Sequence, residues 1–471
     1  MTSQKTSAAQ QKAAQSQYNR KNSRSSKSRR WLWFAVGMGG IAIVSGLAGA
    51  LLAVSWESTP LQQAQLSDQE AAVFDTDRIS GNGLQFSQLT RPVNILLMGM
   101  SVLPPDVETP PTDTKSLGYL PQINSFDGLS DVMLLVKFDP ETQKIVMLSV
   151  PRDTRTEIEG HGVKKINAAN VDGGPALTAK TVSNLLGGVA IDRYVRINVL
   201  GVSKLIEALG GVNVYVPKDM KYRDESQHLY INLKAGQQHL SGEQTLQLLR
   251  YRHDELGDIG RIQRQQMVLR ALIEQTLNPT TLTRVPEILN VVKENIDTNL
   301  SVEELVALVG FGSRTNRSNM QMLMLPGRFS EKGEFDASYW IPQKRGINKL
   351  MSQHFGLETT HLEDTSATQP SQLRIAIQDS TGINRSQLRP LIKTLEKAGY
   401  TNIMISKSWG QPLDVSHIVA QQGDGDSAES IRSLLGFGEV RVESTGNISS
   451  DITIQVGKDW FQNQAIFQNS P

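Results

Sequence analysis

From Trp31 to Trp56 the chain reads WLWFAVGMGGIAIVSGLAGALLAVSW without one charged side chain. At about 1.5 Å per residue, a helix of that length exceeds the roughly 30 Å hydrocarbon core of a bilayer, so residues 31–56 are expected to span a membrane. A cleaved signal peptide is the competing reading, but its apolar region is shorter, and Trp at both ends suits the two interfaces. Residues 1–30 carry Lys5, Lys12, Arg20, Lys21, Arg24, Lys27, Arg29 and Arg30 and no acidic residue. The positive-inside rule then leaves this tail in the cytoplasm and residues 57–471 outside, a single-pass protein of the plasma (inner) membrane. Rich in Ser, Gln and Ala, the tail cannot build a core and is expected to be disordered. Ala42, Gly46 and Ala50 form a small-xxx-small ridge through which two such helices could pair into a homodimer.

The 471 residues are 39% hydrophobic and 20% charged, enough for two or three ordinary domains. A net charge of +1 hides an asymmetry, because the basic tail leaves the remainder net acidic. The absence of cysteine excludes disulfides, thiolate metal sites and a Cys nucleophile. None of the seven histidines pairs at i, i+4, so a helical two-His zinc site is not indicated.

Beyond the span, residues 57–91 are polar and irregular and read as a stalk. Val93–Met98 reads as a first core strand, and the Pro-rich insertion LPPDVETPPTD follows. DVMLLVKF and KIVMLSV, joined by DPETQ, read as a hairpin whose continuous apolarity suggests central strands covered on both faces. RYVRINV is expected as a strand, GVSKLIEALGG as a helix closed by glycines, and VNVYVP as a strand. Ser241 opens a helix through the capping-box pattern SGEQ. Residues 286–312 read as helical, and MQMLMLP as a strand. The alternation predicts a three-layer α/β/α sandwich with a central mixed sheet over 92–355. A linker at 356–372, GLETTHLEDTSATQPSQ, leads to a smaller α/β domain at 373–460 of β-α-β-(β)-α-β-β order, with 461–471 as a tail. No catalytic motif stands out in the smaller domain; its default role is binding or positioning, with an inert structural appendage as the alternative.

The stretch RYRHDELGDIGRIQRQQ gathers Arg250, Arg252, Arg261 and Arg264 ahead of an apolar helix. Guanidinium forks converging in this way suit a diphosphate. With the helix taken to start at Gly260, Arg261 and Gln265 share a stripe with Val268 and Leu272, which would carry them into a pocket. The alternative is a helix terminus held by ion pairs to Asp254, Glu255 and Asp258. Upstream, Arg152 and Asp153 follow a strand end, Lys164 and Lys165 lie in KKINAAN, and Asp131 opens the neighbouring strand. Asp131 and Arg152 fall at the same end of the hairpin, where they could bind a hydrated metal and the phosphate it bridges, or pair with each other.

Over roughly residues 92–355 the chain resembles the LytR-CpsA-Psr family of extracytoplasmic phosphotransferases. NILLMG at 94–99, SDVMLL at 130–135, SVPRDT at 149–154, KINAAN at 165–170, ALGGVNV at 208–214, RYR at 250–252 and DIGRIQRQ at 258–265 carry the resemblance, in the family's order. The last segment is similar to the C-terminal domain attached to the LytR branch. The resemblance implies transfer of a glycopolymer, as its phosphate ester, from a polyprenyl diphosphate carrier to peptidoglycan or another envelope acceptor. It implies Arg152, Lys165, Arg250, Arg252, Arg261 and Gln265 as diphosphate ligands and Mg²⁺ on Asp131. Catalytic roles fall to Arg152, Arg261 and Asp153, the last as base for the acceptor hydroxyl, with Asp258 as the other candidate base. A groove for the lipid tail is likewise implied. Two positions depart from the family's pattern: Ser101 stands where a metal-binding Asp is expected, and Leu129 where Arg is common. A hydroxyl is a poor magnesium ligand, so the alternatives are weak metal binding at Ser101, recruitment of Asp106, Asp113 or Asp127, or a non-catalytic scaffold that binds carrier lipid or wall glycan. The insertion NSFDGLSD sets the chain apart from Gram-positive members and suggests a cyanobacterial-type lineage. Transcriptional regulation, which older names for the family imply, would require nucleic-acid binding. The short basic run lacks interleaved aromatics or a helix-turn-helix, so no nucleic-acid partner is expected.

Overall fold

The computed structural model describes residues 61–75, 77–81, 88–100, 126, 128–225, 229–251, 257–276, 284–316, 319–331, 333–357, 369–382, 385–447 and 449–468. The basic tail, the apolar segment 31–56 and its small-residue ridge lie outside them. Among the described residues no helix is long and apolar enough to cross a membrane.

Three strands form the middle of the first sheet: β1 (Val93–Met100), β2 (Ser130–Asp139) and β3 (Lys144–Ser149). The hairpin expected between DVMLLVKF and KIVMLSV is present, with Asp139 opposite Lys144 and Leu134 opposite Ser149. Alternate residues serve two cores, as apolarity on both faces of a strand requires. Leu96, Met98, Met133, Leu135, Val146 and Leu148 bury on one face, and Ile95, Leu134, Val136, Ile145 and Met147 on the other. After the small hairpin β4 (Arg155–Ile158) and β5 (Gly162–Lys165) comes helix α1 (Ala169–Leu185), which covers the first face through Ala176, Ala179 and Val182. Gly173 and Gly174 break this helix near its start, and Gly174 takes a φ of 63° that suits glycine before Pro175 restarts the turn.

Strand β6 (Arg193–Asn198) leads to α2 (Val199–Leu209), which Gly210 closes in the left-handed region. Four strands follow as two antiparallel pairs: β7 (Val212–Val216) with β10 (Gly236–Leu240), and β8 (Met220–Asp224) with β9 (Leu229–Leu233). Together with α3 (Gly242–Arg250) and α4 (Gly257–Thr276) they enclose a separate apolar cluster around Val214, Leu248 and Val268. The Ser241 capping box is formed, with Gln244 returning a bond to the Ser241 backbone.

The region expected to be helical over 286–312 is divided. Helices α5 (Val285–Asn295) and α6 (Val302–Arg314) flank a short edge strand, β11 (Ile296–Thr298), because Ser301 and Glu304 form a capping box that starts a new helix. Strand β12 (Met320–Met324) completes a six-stranded mixed sheet of order β11-β6-β1-β2-β3-β12. Helix α6 covers its second face through Ala307, Leu308 and Phe311. Arg193 and Glu304 join sheet to helix by a buried two-pronged pair, at 2.7 and 3.2 Å.

The segment read as a stalk is packed from Leu61 onward. Gln62 bridges to Asp297, Ala64 N donates to Asp297 Oδ1 at 2.6 Å, and Phe74 buries against Tyr194. A few apolar residues at 61, 74 and 79 are enough to dock an otherwise polar segment.

A hairpin of β13 (Gly327–Phe329) and β14 (Trp340–Pro342) and helix α7 (Lys344–Leu350) end the first domain. The smaller domain has the expected order with one helix added: β15 (Arg374–Asp379), α8 (Arg389–Lys397), β16 (Asn402–Ile405), β17 (His417–Ala420), α9 (Gly425–Leu435), β18 (Glu439–Val442), β19 (Ile452–Val456) and α10 (Asp459–Gln468). The tail read at 461–471 is thus largely helix, anchored by the fully buried Trp460. Strand order is β16-β15-β19-β17-β18. This domain docks on edge strand β12: Ser444 N donates to Met322 O at 2.8 Å, and Met324 N to Ser444 Oγ at 2.9 Å. Glu443, almost fully buried, pairs with Arg270 of α4.

Candidate functional site

Strand β3 leaves the sheet at Val150, whose N–H donates to Met133 O at 2.9 Å, and a turn follows. Thr154 closes it, giving both its N–H (3.0 Å) and its hydroxyl (2.6 Å) to Pro151 O. Further bonds from Ile166 N to Thr154 O (2.8 Å) and from Trp340 N to Asp153 O (2.9 Å) fix the turn against its neighbours. The result is a line of alternating charge. Arg152 Nη1 donates to Asp131 Oδ1 at 2.7 Å, Arg152 Nε lies 3.5 Å from Asp153 Oδ2, and Lys165 Nζ lies 2.8 Å from Asp153 Oδ1. The side chains are between 17% and 33% exposed, so a ligand can reach them while solvent screens them less than at an open surface. Aromatic rings border the line: Lys165 Nζ is 5.5 Å from the Tyr339 centroid, and the Arg155 guanidinium 4.7 Å from that of Phe335.

Two residues that sequence reasoning left without a role hold the approach to Asp131. Asn170 Nδ2 donates to the carbonyls of Phe126 (2.7 Å) and Gly128 (2.8 Å), and its Oδ1 accepts from Arg196 Nη1 at 3.2 Å. Arg196 also donates to Phe126 O at 3.1 Å and pairs through Nε with Asp297. Both are buried, as is Tyr194, whose hydroxyl meets Asp297 at 3.2 Å. Burial, with the Asp297 carboxylate beside it, pushes the Tyr194 phenol well up, so it remains a donor. The signal was present in RYVRINV: an Arg in an apolar strand must find a partner.

Of the site residues expected from sequence, the structure joins Asp131, Arg152, Asp153 and Lys165. Arg250 ends α3, and Gln265 is half-buried in α4, helices that pack on the β7–β10 strands and each other. Helix α4 begins at Gly257 rather than Gly260, and its buried stripe is Gly260, Arg264, Val268 and Ala271. Gln265 therefore borders the inward face instead of lying at its centre. Arg264 is the inward residue, 3% exposed, donating to Tyr251 O with its guanidinium 5.8 Å from that ring. Arg264, a member of the cluster outside the assigned diphosphate ligands, thus makes a structural bond. Arg261 lies one turn into α4, and its side chain is outside the description; Arg252, Ser101, Asp106, Asp113 and Asp127 lie outside the described residues.

For a divalent cation, the described residues offer Asp131 and no cluster of three or more ligating groups. One carboxylate is compatible with magnesium, which retains water and uses substrate phosphate oxygens. Binding would require the Asp131–Arg152 pair to open or share. The arrangement can therefore exchange carboxylate partners for phosphate oxygens at Arg152 and Lys165 without assembling new cations.

Among curated relatives, the TagV protein of Bacillus subtilis, a polyisoprenyl-teichoic acid–peptidoglycan teichoic acid transferase, is 35% identical over 47% of this chain and 58% of its own length. This chain thus spans less than two thirds of that relative. TagU of Halalkalibacterium halodurans is 34% identical, covering 42% of this chain and 69% of the relative, and TagU of Bacillus cereus 27% identical, covering 70% and 99%. The crystal structure of B. subtilis TagV is similar at 29% identity over 57% of this chain and 99% of that one, with a TM-score of 0.47. Residues 372–460 match the model described as LytR cell envelope-related transcriptional attenuator. With residues 58–355 matching the model of the LytR_cpsA_psr family, the chain belongs to that family.

Proposed function

We propose that the chain is a membrane-anchored extracytoplasmic phosphotransferase that moves a glycopolymer from a polyprenyl diphosphate carrier to peptidoglycan or another envelope acceptor. The observation that carries this reading is the line Asp131–Arg152–Asp153–Lys165, within the family-matched segment. The names of the relatives support the donor and acceptor classes. In this reaction the acceptor hydroxyl attacks the polymer-bearing phosphorus, a new P–O bond forms, and the bridging P–O bond breaks to release polyprenyl phosphate. Arg152 and Lys165 bind the diphosphate oxygens and stabilise the charge gathered there, with Arg250, Arg252, Arg261 and Gln265 as further ligands. Asp153, between Arg152 and Lys165, orients both; when substrate draws the cations away, it is the carboxylate that takes the acceptor's proton. Asp131 would hold Mg²⁺, which would supply neutralisation of phosphate charge. A lipid-binding scaffold without turnover is the second reading, favoured by the neutral Ser101.

The test is transfer of radiolabelled polymer from its polyprenyl diphosphate to purified wall by the full-length protein in detergent, with and without magnesium. Transfer that needs magnesium and is lost in Arg261→Ala supports the transferase. Tight lipid binding without acceptor-dependent turnover would select the scaffold.

A further inference from the structure

The smaller domain's sheet has two unlike faces. Ile375, Ile377, Ile418, Ile452 and Ile454 bury in a core shared with helices α8, α9 and α10. On the opposite face the register aligns Gln378, Gln455 and His417 across the neighbouring strands β15, β19 and β17. Gln455 Nε2 donates to Gln378 Oε1 at 3.3 Å, and His417 Nδ1 lies 3.3 Å from Gln455 Oε1. All three are less than a tenth exposed. Central strands that only pack against another domain gain nothing from such a row, since each buried amide must be satisfied or costs free energy.

The row faces a cleft. A space of about 850 Å³ lies between this face and the first domain, floored by Gln378, His417 and Gln455 and walled by β7 and α4 on one side and the loop 406–415 on the other. That volume is within the range of small-ligand sites. With the Arg270–Glu443 pair and the buried Arg264 set aside, basic residues still outnumber acidic ones in its lining: Lys218, Lys407 and Arg441 against Asp414. Burial holds His417 down at about 4, so near neutral pH it adds hydrogen-bonding capacity and no charge. Trp409 contributes an aromatic wall on which a sugar ring can stack. Amides and hydroxyls, one aromatic face and an excess of cations are the complement of a polyhydroxylated, acidic molecule.

We propose that this interdomain cleft binds a short anionic saccharide segment. The site is built by the two domains together and shares no lining residue with the line of charge at Arg152; its ligand chemistry stands on the cleft, and the choice of natural sources rests on the transferase reading. Two sources share the ligand chemistry: the glycan strands of the wall and the polymer on its carrier.

The test is calorimetric titration of the full-length protein in detergent with a galacturonate trisaccharide, a neutral N-acetylglucosamine trisaccharide and inorganic phosphate. The acidic trisaccharide should bind at least tenfold more tightly than either comparison. Trp409→Ala and Lys407→Glu should each weaken it at least tenfold, while binding of polyprenyl diphosphate is unchanged; Trp409→Phe, which keeps a stacking face, should retain affinity within threefold. Polymer-free wall strands and lipid-free polymer, titrated separately, identify the source by which one binds. Equal affinity for acidic and neutral trisaccharides, binding insensitive to both disruptive variants, or binding of neither natural source would overturn the proposal. Loss of diphosphate binding in Arg152→Ala with saccharide binding intact keeps the two sites' tests separate.

Discussion

Replacing Arg152 with Ala removes the cation that links Asp131 to Asp153. At an effective dielectric near 20, a unit charge 2.7 Å from the Asp131 carboxylate corresponds to about 6 kcal/mol of bare Coulomb attraction. Asp131 and Arg152 are about a fifth to a quarter exposed, and water replaces part of what is lost, so the stability cost should fall to about 1–3 kcal/mol. The reaction should lose more, because a diphosphate gathering charge in the transition state has no solvent substitute for a positioned fork. Removing one such donor costs roughly 3–4 kcal/mol, or about 10²–10³ in kcat/KM. Arg152→Lys restores charge without the planar fork and should recover part of the rate. The assay is steady-state transfer from lipid-linked donor to wall acceptor, with a thermal melt of each variant to separate folding from chemistry. An Arg152→Ala protein that stays folded and keeps kcat/KM within threefold of the parent would refute the assignment of Arg152 to the phosphate.

Glu304→Ala breaks the buried fork with Arg193 and the Ser301 capping box together, so chemical denaturation should show a loss of about 3–5 kcal/mol. Asn170→Ala frees the Phe126 and Gly128 carbonyls ahead of Asp131; activity should fall at least tenfold and kcat should fall more than KM rises, whereas a purely structural role would leave kcat per folded molecule unchanged. His417 has an ordinary value of 6.5 and a folded value of about 4, so between those pH values the unfolded chain binds more protons than the folded one. Its contribution is complete above about 6.5 and is lost as pH falls toward 4, by about 3 kcal/mol at most; His417→Gln should flatten that part of the stability–pH curve measured by urea unfolding.

Strong periodic signals were legible and local exceptions were not. Two-faced apolarity in β2 and β3 announced a covered sheet, and the register it implied brought Asp131 to Arg152. The edge strand Ile296–Thr298 was hidden because three residues carry no period, and only the Ser301–Glu304 capping box marked the break. Reading the α4 stripe from Gly260 put Gln265 at the centre of the inward face, where Arg264 stands instead, donating to Tyr251 and lying over its ring. The polar row Gln378–Gln455–His417 depends on pairing between strands distant in sequence, which no local pattern expresses.

Native mass spectrometry of the full-length protein, extracted from its host membrane in mild detergent, tests the central claim most directly. A polyprenyl phosphate or diphosphate should co-purify with the parent protein and be depleted in a folded Arg152→Ala, Lys165→Ala double variant. A parent protein that carries no such lipid and takes none up from added polyprenyl diphosphate would contradict it.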